Sequence, residues 1–244
     1  MFTKSIPNMF TLGNLFLGMI GMMMALNGEY SMAAIMIIIA MLLDGLDGRV
    51  ARALHAESEF GKQLDSLSDV ISFGVAPALL MYMVSFQDVP QMLSWVVVAI
   101  FPMCGALRLA RFNVKKGIPG YFVGLPIPAA GGVLATLSLF HEDISAVYMI
   151  ISTLLLSFLM VSSVKYPNFK KVGFPKKAVI GAPIVIVAAV AIAIIFPDQI
   201  SKLIFVPLVV YAGYGLKQSF EKLTRRRKDT KSPSSDEDVY RSEN

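Results

Sequence analysis

Long uninterrupted apolar runs are the feature of this sequence that most restricts its fold. A membrane-spanning helix needs about 20 mostly apolar residues, and this chain of 244 residues is 55% apolar but only 16% charged. Soluble domains carry about 25% charged residues, and the strands of a membrane barrel alternate polar with apolar positions. The runs therefore predict an all-α integral membrane protein. They argue against a soluble globule, a nucleic-acid partner and a membrane barrel.

Eight runs are long enough to be transmembrane helices. We predict these spans at approximately 9–27, 31–53, 68–86, 92–110, 122–140, 144–164, 178–196 and 202–218. Of the 22 Lys and Arg residues, 21 fall in the connectors and tails on one side of the membrane. The positive-inside rule makes that side cytoplasmic, so we expect a multi-pass protein of the cell membrane with both termini in the cytoplasm.

The end of the chain differs in composition from the rest. We expect a membrane-embedded catalytic domain over residues 1–218, followed by a cytoplasmic tail over residues 219–244. The tail is first basic and then rich in serine and acidic residues, a composition that cannot bury a core. We therefore expect disorder from about residue 229.

The second and third runs are joined by a stretch that carries four aspartates at helical spacing. Its pattern is D-x2-D-G-x2-A-R-x8-G-x3-D-x3-D, and it begins at Asp44 and ends at Asp69. Asp44 and Asp47 share one helix face, and Asp65 and Asp69 share a face of the next helix. A short connector lets these helices run antiparallel, so we expect the four carboxylates to point at one another. In the alternative interpretation the acids only cap helices, but Asp44 follows an unbroken apolar run in which an idle charge is costly.

Four clustered carboxylates cannot all stay ionised without compensation, and either protons or metal ions can neutralise them. Carboxylate oxygens suit Mg²⁺, Mn²⁺ or Ca²⁺ better than zinc, and four of them can bridge two divalent cations, as in phosphoryl transfer. Gly48 and Ala51 leave room for a ligand beside the acids, and Arg52 suits a phosphate oxygen. The residues therefore predict metal-assisted phosphotransfer on an amphiphilic substrate.

The aspartate pattern is similar to the signature of the CDP-alcohol phosphotransferases, and every specified position matches. This resemblance implies that a phosphatidyl group passes from a CDP-linked lipid to an alcohol and that CMP is released. It implies that the four aspartates bind two divalent cations and that Asp69 is also the general base. It further implies a set of contacts to the CDP moiety, namely Asn8, Thr11, Gly48, Ala51, Arg52, Ser58 and Gly61. The first two belong to a Pro-Asn-x-x-Thr motif, for which an ordinary helix start capped by Asn8 is the alternative.

Within the family, the chain most resembles the bacterial phosphatidylserine synthases of the membrane-embedded type. The stretches that carry this resemblance are Ser72–Pro77, Arg108–Asn113 and Gly124–Ala130. The likeness covers about residues 5–215, which includes two C-terminal spans beyond the six-helix core of the family. It implies CDP-diacylglycerol and L-serine as substrates, contact with membrane lipid, and a homodimer.

Three basic residues bear on the identity of the acceptor alcohol. Arg108 and Arg111 stand three residues apart at a cytoplasmic helix end and suit a serine carboxylate, although the positive-inside rule also accounts for them. Lys165 either contacts an anionic phosphate or extends to the membrane interface. Glycerol 3-phosphate, inositol and inositol phosphate are alternative acceptors. An ion-coupled secondary transporter is a remote alternative, since we find no internal repeat and the acids lie away from the midplane.

Overall fold

A computed structural model of the protein describes residues 5–54, 56–114 and 121–167. Four helices in these ranges are long and apolar enough to cross a membrane: Pro7–Leu26, Tyr30–Ala53, Glu59–Phe86 and Gln91–Val114. Two shorter apolar helices follow, Ile127–Phe140 and Ala146–Val161. Each of the first six predicted spans thus contains a helix. The two predicted C-terminal spans and the tail lie outside the described residues and stay predictions.

The first two helices, α1 (Ser5–Leu26) and α2 (Tyr30–Ala53), are joined by a tight turn. Gly28 has a φ of +84°, a left-handed conformation that glycine adopts without steric cost. In the turn, the Asn27 and Glu29 amides donate to the Met24 carbonyl, which satisfies the end of α1. The turn returns the chain antiparallel to α1, so that the two helices pack along their length.

The third membrane helix begins nine residues earlier than the predicted start at residue 68. It consists of α3 (Glu59–Asp69), a π-helical segment (Val70–Val75), α4 (Ala76–Met81) and a second π-helical segment (Tyr82–Phe86). Ser58 caps α3, because its Oγ accepts a hydrogen bond from the Gly61 amide over 3.0 Å. The early turns of α3 are polar, so the apolar run begins several residues after the start of the helix.

The π-helical segment after α3 is explained by a proline. Pro77 has no amide hydrogen, and its ring crowds the carbonyl of Phe73 four residues earlier, which a wider helical turn accommodates. The Phe73 carbonyl then faces Gly131 of α6 (Ile127–Leu137), where an added Cβ atom would lie 2.5 Å from the carbonyl oxygen. The third span and α6 therefore pack with their backbones in close contact.

The remaining elements of the described residues follow the third span in the sequence. They are α5 (Gln91–Val114), β1 (Tyr121–Val123), a 3₁₀ turn after α6 (Ser138–Phe140), α7 (Ala146–Val161) and β2 (Lys165–Pro167). The two strands pair antiparallel, with Phe122 opposite Tyr166. The strand β1 and Gly124, which has a φ of +81°, precede α6. The helix of the fifth predicted span, α6, therefore begins at Ile127 rather than at the predicted residue 122.

The core of the described residues lies where the third span, α5, α6 and α7 meet. Its largest fully buried side chains include Phe73, Leu80, Phe101, Leu134 and Leu159. By contrast, α1 has an exposed apolar face formed by Met9, Leu12, Phe16, Met19 and Met23. An exposed apolar face of this size is typical of a helix that contacts lipid.

Candidate active site

The four aspartates of the sequence pattern converge where the end of α2 meets α3. One carboxylate oxygen from each of Asp44, Asp47 and Asp65 lies within 4.8 Å of the other two. The Asp44 carboxyl group also interacts electrostatically with the carboxyl groups of Asp65 and Asp69. Asp47 and Asp69 are buried, with 7% and 5% of their surface exposed, which does not fit acids that merely solvate a loop. The structure thus brings together all four predicted ligands.

This donor set suits a hard divalent cation. Three carboxylate oxygens within 4.8 Å of one another have the spacing that one such ion spans at ligand distances of about 2.0–2.6 Å. In addition, Asp69 Oδ1 is buried and has no hydrogen-bond partner among the described residues. A buried carboxylate oxygen that no donor satisfies is an available ligand atom. The acidic cluster therefore fits metal binding on chemical grounds.

A hydrogen bond from α1 holds one of the acids. Thr11 Oγ1 lies 3.0 Å from Asp47 Oδ2 and 3.2 Å from the Pro7 carbonyl, and all of these groups are buried. Outer hydrogen bonds of this kind orient metal-binding carboxylates and hold them in one rotamer. The contact places the start of α1 directly beside the acidic cluster.

A cavity of about 550 Å³ adjoins the acids between the start of α1, the end of α2 and the start of α3. Asp47 and Asp65 form part of its wall. All seven predicted contacts to the nucleotide line it as well: Asn8, Thr11, Gly48, Ala51, Arg52, Ser58 and Gly61. Residues that are up to 53 positions apart in the sequence therefore share one concave surface. A volume of this size is typical of a small-molecule site.

Packing between α1 and α3 shapes the cavity wall. Asn8 lies inside α1, so the alternative in which it caps that helix is wrong. Its Oδ1 atom lies 3.0 Å from the point that a Cβ atom on Gly61 would occupy. Ser58 both caps α3 and lines the cavity, which places the N-terminus of α3, with the amide groups of its first turn, at this surface.

Sequence reasoning missed several further residues of the cavity wall, among them Lys62 and Phe112 as well as the acidic Glu57 and Glu59. Helical spacing contains a signal for the first two, because Lys62 precedes Asp65 by three residues and Phe112 follows Arg108 by four. Lys62 adds positive charge to that of Arg52. Phe112, which belongs to α5 and is 42% exposed, adds an apolar surface.

The three residues predicted to contact serine or phosphate have different surroundings. Arg108 is buried, interacts electrostatically with Asp69 and lies 5.7 Å from the Phe112 ring centroid. Arg111 Nη1 donates to the Val161 carbonyl over 2.7 Å and so ties α5 to the end of α7. The backbone of Lys165 pairs with Val123, while its side chain lies outside the described part of the chain.

A sequence model of the CDP-alcohol phosphatidyltransferase family matches residues 4–159, a range that contains the four aspartates and the cavity wall. The chain belongs to this family. Members of the family are helical membrane proteins that use divalent metal, and the acidic cluster and the four long apolar helices agree with both properties.

Three relatives illustrate where the chain lies within the CDP-alcohol phosphatidyltransferases. It is 41% identical over 174 residues to a CDP-diacylglycerol–serine O-phosphatidyltransferase of Helicobacter pylori. The aligned segment covers 68% of this chain and 73% of the relative. The enzyme of that name from Bacillus subtilis is 39% identical over 166 residues, or 68% and 92% of the two chains. An archaetidylserine synthase of Methanothermobacter thermautotrophicus is 38% identical over 176 residues, or 69% and 72%.

Proposed function

We propose that the chain is a CDP-diacylglycerol–serine O-phosphatidyltransferase, which transfers the phosphatidyl group of CDP-diacylglycerol to L-serine and yields phosphatidylserine and CMP. One observation carries this proposal: all seven predicted nucleotide contacts line one cavity, and two of the clustered aspartates, Asp47 and Asp65, form part of its wall. The names of the relatives support serine as the acceptor.

The cavity binds the CDP moiety. Arg52 and Lys62 supply positive charge for the phosphates, and the N-terminus of α3 presents amide groups to them. Gly48 and Ala51 have small side chains on the wall next to Asp47, so a phosphate can approach the acids closely. The diacylglycerol part of the donor extends into membrane lipid.

The four aspartates hold two divalent cations, for which Mg²⁺ and Mn²⁺ are the first candidates and Ca²⁺ the third. When bound, the cations neutralise the diphosphate and the charge that develops on the leaving phosphate. The chain contributes the geometry, because Thr11 fixes Asp47 and the two helices fix the spacing of the acids.

Serine reacts through its hydroxyl group. The serine oxygen forms a bond to the β-phosphorus, the bond from that phosphorus to the CMP oxygen breaks, and Asp69 accepts the hydroxyl proton. Asp69 suits this role because it is buried and its Oδ1 has no partner in the described part of the chain. Arg108 interacts electrostatically with Asp69, and its guanidinium group suits the serine carboxylate.

The site lies at the cytoplasmic side of the cell membrane. The cationic residues Arg52, Lys62, Arg108 and Arg111 all lie at the end of the helices that carries the cavity. The connectors at the opposite end carry Glu29, Asp88, Glu142 and Asp143. The positive-inside rule assigns the first end, with both termini, to the cytoplasm. A homodimer is proposed from the family resemblance alone.

An acceptor panel tests this function. The purified full-length protein in mixed micelles with CDP-diacylglycerol and Mn²⁺ receives serine, glycerol 3-phosphate, inositol or inositol phosphate, and released CMP is measured. We expect release with serine only, its loss in excess EDTA, and its return with Mg²⁺ or Mn²⁺. Release with another acceptor would reassign the substrate, and no release with any acceptor would contradict the proposed chemistry and favour a transporter.

A further inference from the structure

Asn14 lies in the first membrane helix and is neither a proposed ligand nor a nucleotide contact. Its side chain is fully buried, and neither Nδ2 nor Oδ1 has a hydrogen-bond partner in residues 5–54, 56–114 and 121–167. A carboxamide buried without hydrogen bonds is costly, and the cost is greater inside a membrane span. We therefore expect the Asn14 carboxamide to gain hydrogen-bond partners when the protein is in its functional state.

The packing of α1 against α2 places Asn14 at the level of Asp44. The Thr11 hydroxyl bonds to Asp47, and a Cβ atom on Gly13 would lie 2.9 Å from Leu43 Cδ2. Asn14 follows Thr11 by three residues along α1, and Asp44 precedes Asp47 by three residues along the antiparallel α2. Each step is about one helical turn on the same face. Asn14 is thus related to Asp44 as Thr11 is to Asp47.

The packing of α1 against the third span places Asn14 beside Ser68. Ser72 Oγ donates to the Asn14 carbonyl over 3.1 Å, and its Cα lies 2.7 Å from the point that a Cβ atom on Gly18 would occupy. These two helices run parallel, since Asn8 meets Gly61 earlier along both. One turn back from the Gly18–Ser72 contact are Asn14 and Ser68. The Ser68 hydroxyl is likewise fully buried and has no partner among the described groups.

We propose that Asn14 is a positioning residue for the metal ligand Asp44. When a cation binds, Asn14 Nδ2 donates to the Asp44 carboxylate, and Asn14 Oδ1 accepts a hydrogen bond from Ser68 Oγ. This arrangement gives hydrogen-bond partners to three buried atoms, Asn14 Nδ2, Asn14 Oδ1 and Ser68 Oγ. Asn14 then supports Asp44 in the way that Thr11 supports Asp47. The inference rests on the proposed function, because it takes Asp44 to bind a functional cation.

Direct binding of Mn²⁺ tests the role of Asn14. Titration calorimetry on the full-length protein in detergent, without substrate, compares the wild type with Asn14→Leu, which has the same number of side-chain heavy atoms and the same branching but no polar atoms. We expect the Mn²⁺ affinity to fall roughly 10- to 100-fold, the usual effect of losing an outer hydrogen bond to a metal ligand. Asn14→Gln keeps the amide and should recover part of the affinity. Thr153→Val is the matched control, because it removes a buried hydroxyl that bonds only within its own helix.

Thermal stability separates this role from a merely structural one. In EDTA, Asn14→Leu should have a Tm equal to or above that of the wild type, since it removes an unpaired buried amide. In Mn²⁺, its Tm should rise less than that of the wild type, because weaker binding stabilises less. A lower Tm in EDTA together with unchanged Mn²⁺ affinity would overturn the proposal and make Asn14 a packing residue.

The outcome can be told apart from a failure of the proposed function. Unchanged Mn²⁺ affinity with a higher KM for serine would also overturn the proposal and move Asn14 to the acceptor site, while the transferase activity stands. Conversely, weaker Mn²⁺ binding in Asn14→Leu supports the positioning role even if the acceptor panel identifies an alcohol other than serine.

Discussion

Asn8 Oδ1 lies 3.0 Å from the point that a Cβ atom on Gly61 would occupy, so the side chain of one helix packs directly on the backbone of the other. Both residues line the cavity proposed to bind CDP. The absence of a side chain at Gly61 is therefore what lets α1 and α3 shape this wall together.

Gly61→Ala tests that contact. The added methyl group must displace the Asn8 carboxamide and the Ser58 hydroxyl, both cavity-wall groups, by a few tenths of an ångström, so we expect the KM for CDP-diacylglycerol to rise roughly tenfold. That change corresponds to about 1.4 kcal/mol, near the low end for an overpacked methyl group. Gly45→Ala is the matched control, because a Cβ atom there meets nothing within 4 Å. Equal KM values for the two variants would contradict the proposed role of the Asn8–Gly61 contact.

Thr11→Val removes the hydrogen bond to Asp47 and keeps the shape of the side chain. We expect the Mn²⁺ concentration that supports half-maximal activity to rise about tenfold, because Asp47 loses the group that orients it. Thr11→Ser keeps the hydroxyl group and should stay close to the wild type. A metal requirement that does not change in Thr11→Val would show that Asp47 needs no support from α1.

Asp69→Asn removes the proposed general base and keeps a side chain of the same size. We expect the rate of CMP release to fall roughly 10²- to 10⁴-fold, the usual range for loss of a general base. Binding of CDP-diacylglycerol should change little, because the Asn amide oxygen can still serve as a ligand atom and the group formed by Asp44, Asp47 and Asp65 stays intact. Asp65→Asn should instead weaken donor binding and Mn²⁺ binding together, because Asp65 belongs to the cluster of ligand oxygens. Undiminished turnover in Asp69→Asn would refute the assignment of the base.

Arg108 and Arg111 should respond differently to substitution. Arg108→Gln removes a buried charge beside Asp69, so we expect the KM for serine to rise roughly 10- to 100-fold, as for loss of a charged hydrogen bond. Arg111→Gln removes the hydrogen bond to the Val161 carbonyl, and we expect a lower Tm with a KM for serine close to that of the wild type. If Arg111→Gln has the larger effect on the KM, the two roles are reversed.

Gly131→Ala tests the close packing of α6 on the third span. Its methyl group would lie 2.5 Å from the Phe73 carbonyl oxygen, a backbone atom that cannot rotate away. We expect a loss of about 1–3 kcal/mol in the free energy of unfolding, measured by denaturant titration in detergent. Gly45→Ala again serves as the control, and equal stability of the two variants would contradict close contact at Gly131.

Much of the architecture was predictable, because a membrane restricts what apolar runs can form. Each of the first six predicted spans contains a helix, and the predicted family is confirmed. The start of the third span was not predictable from apolar character, since α3 is polar and is capped by Ser58. The strand that delays α6 was also missed, because its partner Lys165–Pro167 is distant in sequence.

The aspartates and the nucleotide contacts were recognisable because helical spacing alone places them on common faces, and their pattern matches one family. Spacing along one helix says nothing about what faces it across an interface. Only the tertiary structure showed that Thr11 bonds to Asp47, that Arg111 bonds to the end of α7, and that Asn14 is buried without a partner among the described residues. These relationships depend on how helices pack side by side, and packing is decided by contacts between residues far apart in the chain.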